Sequence, residues 1–398
     1  MIGISKLYCG AVEASDVLRY KRRSKELPSG LLQFSRDKKP VVVWNCTRTC
    51  NLRCMHCYSE SDAQRYDQLS TDEAKRMIDD LAAFGSPVLL FSGGEPCVRP
   101  DLVELMSYAK AAGMRVVLST NGTLITPELA AQFAKVGLSY VGVSIDGAPA
   151  THDKFRGMNG AFESSMRGLA NAQEQGIKVG LRMTLNKLNF HEVDDVFALM
   201  RERSINRACF YHLVYTGRGS EMMDRDLSHD ETRTVVRHIM DLTRAWFDEG
   251  GRPEVLTVDN HADAPFIYLE LLKEDPERAE EVMQLLKWNQ GNSTGNGIAC
   301  VSWDGEVHAD QFWRHFSFGN VRERPFSEIW TDVSRTTEAS ELMYRLKDKR
   351  PFVKGRCAQC RWLDICGGNF RVRAEAATGD LWASDPACYL TDEEIGLV

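Results

Sequence analysis

After Pro40 the chain alternates short apolar runs with amphipathic stretches. The runs fall at Val41–Trp44, Val88–Phe91, Val116–Leu118, Tyr140–Val143, Val179–Thr184 and Cys209–Val214. Runs that are apolar throughout, without a polar face, suit strands covered on both sides in a parallel sheet. The stretches between them carry helix signals. Ser70 with Glu73 three residues on forms a capping box, as does Ser228 with Glu231. Thr126 precedes Pro127 at a first helical position. Further helices are predicted across Asp101–Ala112, Phe162–Gln175 and Glu192–Arg203, with Gly113, Gly137 and Gly176 where helices end. Six strand–helix units predict an α/β fold, a partial (β/α)6 barrel of parallel strands. This is short of the eight units of a closed barrel. The stretch 251–295 reads as a connecting segment. From about residue 296 the pattern changes to short strands and turns, with Gly305 in a hairpin. The expected layout is an N-terminal extension 1–40, a barrel 41–250, the connector 251–295 and a C-terminal domain 296–398.

Composition narrows the classes. The 398 residues are 43% hydrophobic and 26% charged, which excludes a disordered or fibrous chain. A net charge of −7 offers no basic footprint for nucleic acid. No apolar run reaches the length of a membrane span. The opening MIGISKLYCGAVEAS has no long apolar core and no signal cleavage site, so a cytoplasmic location is expected. In that reducing compartment, clustered cysteines point to metal rather than to disulfides.

Seven of the 12 cysteines are clustered. Cys50, Cys54 and Cys57 stand as C-x3-C-x2-C in NCTRTCNLRCMHCY, just after the first strand. Barrel active sites are built at that end of the strands. Three thiolates can hold three irons of a [4Fe–4S] cluster and leave the fourth open, and an open position marks a catalytic metal site. A zinc knuckle gives similar spacing. With Tyr58 following, the motif resembles that of the radical S-adenosylmethionine (SAM) superfamily. The resemblance implies that the open iron chelates SAM, whose reductive cleavage yields a 5′-deoxyadenosyl radical.

Ser92-Gly93-Gly94-Glu95-Pro96 follows the second strand and resembles the family's GGE motif. There the resemblance implies that Gly93, Gly94 and Glu95 hold the SAM amino group. Polar residues end the next strands: Ser119-Thr120-Asn121-Gly122, Ser144-Ile145-Asp146-Gly147 and Arg182. Tyr58, Asn121, Ser144, Asp146 and Arg182 complete the expected SAM contacts, with turn or cap chemistry as the alternative for each. Gly217-Arg218-Gly219 is a further candidate, for the adenine. No catalytic side chain is expected beyond the SAM cluster itself.

Cys357, Cys360, Cys366 and Cys388 give four thiolates, enough to close a cluster or a structural zinc site. In context they resemble the SPASM/Twitch-type extension of radical SAM enzymes, which implies an auxiliary [4Fe–4S] cluster. A complete SPASM domain holds a further cluster. Here Cys300 and Gly305 match its upstream part, while Asp310 and Phe370 stand where two of its cysteines belong. One auxiliary cluster is therefore expected, with Cys300 a leftover thiol.

Across nearly its whole length, in segments such as LLQFSRDKKPVVVWN, DNHAD and FGNVRERPFSEIW, the chain resembles the 12,18-didecarboxysiroheme deacetylases of haem biosynthesis. That resemblance implies removal of two acetate side chains from 12,18-didecarboxysiroheme to give iron coproporphyrin III, with an electron donor of the flavodoxin or ferredoxin type. The alternatives are a haem d1 enzyme acting on propionate side chains, a peptide-modifying SPASM enzyme, and a non-enzymatic iron–sulfur or zinc protein. An iron tetrapyrrole bearing carboxylates calls for cations and an axial imidazole. Arg22, Arg23, Lys38, Lys39 and Arg218 are candidates for the first, and His212, His261, His308 and His315 for the second.

Overall fold

The structure, a computed structural model, describes residues 1–11 and 39–397. Arg22, Arg23 and Lys38 lie outside the described residues. Among the described residues, ten strands form one sheet: β1 (Ile2–Gly3), β2 (Val41–Thr47), β3 (Val88–Gly93), β4 (Arg115–Thr120), β5 (Val141–Ser144), β6 (Val179–Leu185), β7 (Arg207–His212), β8 (Glu254–Val258), β9 (Ile298–Val301) and β10 (Val307–His308). Their order is β1-β8-β7-β6-β5-β4-β3-β2-β9-β10. Every pairing from β8 through to β9 is parallel, and β1 and β10 close the two ends antiparallel.

All six expected strands are present. Two parallel strands were not expected. The segment 251–295 is no connector: it carries β8 and the helices Asp263–Glu274 and Pro276–Asn289. Glu254 and Thr257 interrupt the apolar run of β8, which hid it. β9 pairs with β2, Val42 opposite Ala299, so the barrel sheet continues into the C-terminal region without a break. Gly305 makes the expected turn between β9 and β10, with φ of 90°.

The strands have two unlike faces. Val42, Trp44 and Cys46 of β2, and Leu181, Met183 and Leu185 of β6, are buried under the helices. Trp44 packs on Phe91 with ring centroids 5.3 Å apart. The intervening residues, Val41 and Val43 or Arg182 and Thr184, face a cavity on the other side. Helix ends follow the expected chemistry. Both predicted capping boxes form, and Gly137 caps its helix in the left-handed region. Among the described residues, no helix is long and apolar enough to cross a membrane.

The C-terminal region is pinned to the strand ends by a buried ion pair. Arg373 and Asp385 meet at 2.9 Å with no exposed side-chain surface. Arg373 also donates to the carbonyls of Leu213 and Asp259, just past β7 and β8.

Candidate active site

The three-thiol loop leaves the C-terminal end of β2 and folds back over the barrel. Cys50 and Cys54 are buried and Cys57 half-buried. Polar groups already face the sulfurs. The Leu52 amide donates to Cys50 Sγ at 3.3 Å, and Ser59 Oγ lies 3.3 Å from Cys57 Sγ. An Arg156 guanidinium nitrogen stands 3.5 Å from Cys54 Sγ. Burial pushes the Cys50 and Cys54 thiols above their ordinary range, an effect Arg156 opposes at Cys54. Buried sulfurs that need positive charge to ionise fit an iron–sulfur cluster, whose irons supply that charge.

Gly217 and Arg218 brace this loop. Arg218 Nε donates to the Cys54 carbonyl at 2.7 Å, and its second nitrogen to the Ser61 carbonyl at 3.1 Å. A Cβ on Gly217 would meet the Tyr58 and Cys57 carbonyls within 2.6 Å. The Arg218 side chain is thus committed to backbone carbonyls and is not a free cation.

Below the loop lies a cavity of about 480 Å³, enclosed by every parallel strand from β2 to β9. It gathers all three thiols with Tyr58, Gly93, Gly94, Asn121, Ser144 and Arg182. A Cβ on Gly94 would stand 2.3 Å from the Thr49 carbonyl, so only glycine lets β3 approach the cysteine loop this closely. Gly142 similarly leaves room for Arg182, whose Nε a Cβ there would meet at 2.2 Å. Arg182 lies across that gap and donates to Ser119 Oγ at 2.6 Å. Tyr58 donates to Asn45 at 2.8 Å and packs edge-on against Phe312.

Two expected SAM contacts stand behind the wall instead. Glu95 is fully buried and turned away from the cavity. Its carboxylate accepts from Thr120 Oγ1 at 2.7 Å, the Asn121 amide at 2.8 Å and the Cys97 amide at 3.0 Å. Asp146 pairs with Arg156 at 2.7 Å and lies 3.7 Å from His56. Burial opposes ionisation of Asp146, yet Arg156 and His56 hold its carboxyl below the ordinary value. Both carboxylates position neighbours that do line the cavity.

The cavity is cationic in an acidic protein. Lys39, Arg115, Arg156, Arg182 and Arg207 line it, against Asp259 and Asp310. Burial pushes Asp259 up to about 7 and raises Asp310 as well, which reduces their negative charge. Of the four candidate histidines, His212 and His261 face the cavity. His308 spends both ring nitrogens on Phe316 and Ser302, and His315 pairs with Glu375 at the surface.

Cys357, Cys360, Cys366 and Cys388 converge around a small space of about 40 Å³. The Trp362 amide approaches Cys360 Sγ at 3.4 Å, and Arg356 approaches Cys388 Sγ at 3.8 Å. Burial pushes Cys388 up to about 12 and raises Cys360 and Cys366. Among the described residues, no three of these side-chain types converge tightly enough for a single metal ion. A four-iron cube places each thiolate on a separate iron and asks for wider spacing. Cys300 is buried, with Asn45 Nδ2 at 3.5 Å from its sulfur. Asp310 accepts from Thr294 at 2.6 Å, and Phe370 packs on Phe312 in the cavity wall.

Sequence reasoning missed Arg156, His56 and Asp263. His56 sits inside the cysteine motif and was readable there. Arg156 carries no local signal: it reaches Cys54 across 102 positions.

A parallel barrel with an open three-thiol loop at its mouth and a closed four-thiol domain beside it defines a radical SAM enzyme with an auxiliary iron–sulfur site. Residues 44–200 match the Radical SAM superfamily, and residues 293–361 match SPASM, an iron–sulfur cluster-binding domain. The chain is 64% identical to the Fe-coproporphyrin III synthase of Methanosarcina barkeri, over 100% of this chain and 99% of that protein. It is 39% identical to the Pre-heme d1 synthase of Dinoroseobacter shibae, over 90% and 88%. Native anSMEcpe with bound AdoMet shares the fold, with a TM-score of 0.66 at 19% identity over 88% of this chain and 94% of that one. The chain belongs to the radical SAM superfamily, and its cofactors are SAM and two iron–sulfur clusters.

Proposed function

We propose that this enzyme removes the two acetate side chains of 12,18-didecarboxysiroheme, giving iron coproporphyrin III. The observation that carries this reading is the cationic cavity. Lys39, Arg115 and Arg182, with no carboxylate partner among the described residues, line a space of about 480 Å³ that reaches from the three-thiol loop to the C-terminal domain, beside Arg156 and Arg207, which pair with Asp146 and Glu254. A chain of net charge −7 that collects its cations inside a cavity is built for a polyanionic small molecule. Phe312 and Phe370 add an aromatic wall for a flat macrocycle. The 64% identity to Fe-coproporphyrin III synthase supports the same substrate class.

Cys50, Cys54 and Cys57 hold the SAM cluster in this reading, and Cys357, Cys360, Cys366 and Cys388 hold the auxiliary one. When bound, the first cluster and SAM supply a hydrogen-abstracting 5′-deoxyadenosyl group. Gly93 and Gly94 present backbone to the SAM amino group, while Glu95 fixes the strand ends that shape that contact. Asn121, Ser144 and Arg182 face the rest of SAM, Arg182 offering a cation to its carboxylate. Tyr58 and the loop above close the site from water. Each acetate leaves as the ring gains conjugation. The departing carboxymethyl radical takes one electron and one proton to become acetate; a flavodoxin- or ferredoxin-type donor would supply that electron, and Cys357, Cys360, Cys366 and Cys388 would hold the cluster able to pass it on. The enzyme works in the cytoplasm, with a catalytic barrel that runs from 41 through β8 and an auxiliary domain over 296–398.

The test is anaerobic incubation of the reconstituted enzyme with SAM, reductant and 12,18-didecarboxysiroheme, followed by mass spectrometry. Iron coproporphyrin III, acetate and 5′-deoxyadenosine are the expected products. Propionate-derived fragments would place the enzyme with the Pre-heme d1 synthases. Productive SAM cleavage on a peptide, with no optical response to any siroheme derivative, would sink the reading.

A further inference from the structure

His212 closes β7, at the strand end where barrel chemistry collects. It is 6% exposed and faces the cavity. Its Nε2 lies 2.9 Å from Asp263 Oδ2, and Asp263 has no exposed surface. The other Asp263 oxygen accepts from the Tyr389 hydroxyl at 2.7 Å, and Tyr389 is buried as well. One imidazole is therefore fixed by a barrel strand, a helix start and the C-terminal domain together.

A carboxylate can only accept from the ring. In the neutral imidazole, Nε2 carries the hydrogen and Nδ1 keeps a lone pair. Among the described residues, Nδ1 has no hydrogen-bond partner. A histidine that donates one ring N–H to a buried carboxylate, and lines an open space with its ring, has the arrangement of a metal ligand. The hydrogen bond fixes the tautomer and the orientation of the ring. His261 also faces the cavity, but among the described residues no carboxylate orients its ring and its buried Nδ1 has no partner.

Resting on the substrate class proposed above, we infer that His212 is the axial ligand of the substrate's iron, oriented for that role by Asp263 and Tyr389. Asp263 is a positioning residue. It touches no substrate atom and acts through the imidazole.

The probe is ferric coproporphyrin III, with metal-free coproporphyrin III as control, on the holoenzyme with both clusters oxidised. Labelling with 15N-histidine reveals a histidine nitrogen on the ferric iron by its hyperfine coupling. Wild type shows that coupling. His212→Ala loses it and binds the iron form about tenfold or more weakly, while metal-free binding is unchanged. His212→Gly regains an axial nitrogen, now unlabelled, when imidazole is added, which keeps the test independent of folding losses. Asp263→Asn keeps the coupling, weakens iron binding about tenfold and raises the iron's reduction potential, because a less basic imidazole favours the ferric state less. Coupling that survives in His212→Ala places the ligand elsewhere and overturns the inference. Equal weakening of both porphyrins makes His212 a packing residue and overturns it too. Wild type that binds both porphyrins without histidine coupling has no such ligand. If wild type binds neither, the substrate class itself falls and takes this inference with it.

Discussion

Around Cys50, Cys54 and Cys57 the protein leaves about 480 Å³ of space, and around Cys357, Cys360, Cys366 and Cys388 about 40 Å³. The first group hangs from a loop at the end of β2, over strands whose inward residues mix aliphatic side chains such as Val43, Leu90 and Val117 with Arg115, Arg182 and Arg207. The second is held by short helices and turns, Gly355–Ala358 and Leu363–Cys366 among them. Each group has an arginine near a sulfur, yet the two arginines differ. Arg156 is buried and neutralised by buried Asp146, with side chains 8% and 1% exposed. Arg356 pairs with Asp392 at the surface, 30% and 59% exposed. Ligand count and surroundings agree. Three thiols beside a cavity suit chemistry on an external ligand, and four thiols in a closed shell suit electron transfer.

The strongest test of that contrast removes each site in turn. Replacing Cys50, Cys54 and Cys57 with alanine is expected to halve the iron and abolish SAM cleavage. Replacing the four C-terminal cysteines also halves the iron, but leaves uncoupled reductive cleavage of SAM measurable as 5′-deoxyadenosine. Loss of all cleavage in both variants would erase the distinction. The next test concerns the arginines. Arg156→Gln strands a buried carboxylate and is expected to cost about 3–5 kcal/mol. Arg356→Gln, at an exposed pair, is expected to cost less than about 1 kcal/mol. Denaturant midpoints of the two variants check the ordering.

The parts legible in the sequence were those written locally. The C-x3-C-x2-C motif, the capping boxes at Ser70 and Ser228 and the glycine pair at Gly93 each fit in a few residues. Four strands stood out because their apolar runs are continuous, and β6 and β7 did so despite Arg182, Thr184 and His212 within theirs. β8 did not, since Glu254 and Thr257 break its run, and the parallel pairing of β9 with β2 joins residues more than 250 positions apart. The same limit hid the site's supports. The Asp263–Tyr389 contact spans 126 positions. The direction of Glu95 could not be read either, because its three donors come from a turn and from the end of another strand. Residue type set which chemistry was available, and long-range packing decided which groups face the cavity.

A smaller effect tests the wall that joins the two regions. Burial lifts the Asp259 carboxyl to about 7, against opposition from the N-terminal ammonium and Arg373, with Asp310 adding to the rise. Below about pH 4 the group is protonated in both folded and unfolded chains, and costs nothing. Between there and about pH 7 the unfolded chain has lost the proton and the folded one has kept it, so stability falls as pH rises. Asp259→Asn removes the cost. The variant is expected to be more stable than wild type near pH 8, by up to about 4 kcal/mol, with the gain fading towards pH 4. Asp259 has φ of 67°, a conformation asparagine tolerates, so the backbone adds no opposing strain. A pH-independent difference in denaturant midpoint would count against a proton held by Asp259.

The last and smallest effect separates the two cluster sites through Glu95. Its carboxylate takes hydrogen bonds from Thr120, Asn121 and Cys97, and so ties the end of β3 to the end of β4 beside the three-thiol loop. In Glu95→Gln one oxygen becomes an NH2 group facing a donor, and at least one bond is lost. Gly93, Gly94 and Asn121 then relax away from the geometry proposed for SAM. The expected loss is about 1.5–3 kcal/mol of SAM binding, or about tenfold to hundredfold in affinity. Iron content stays at the wild-type level, and so does the electron paramagnetic resonance signal of the reduced four-thiol cluster, because Glu95 touches nothing in the C-terminal domain. A titration of SAM against the signal of the three-thiol cluster measures the first effect and displays the second in the same spectrum. Wild-type SAM affinity in this variant would show that the strand ends hold their shape without the carboxylate, and would remove Glu95 from the SAM site altogether.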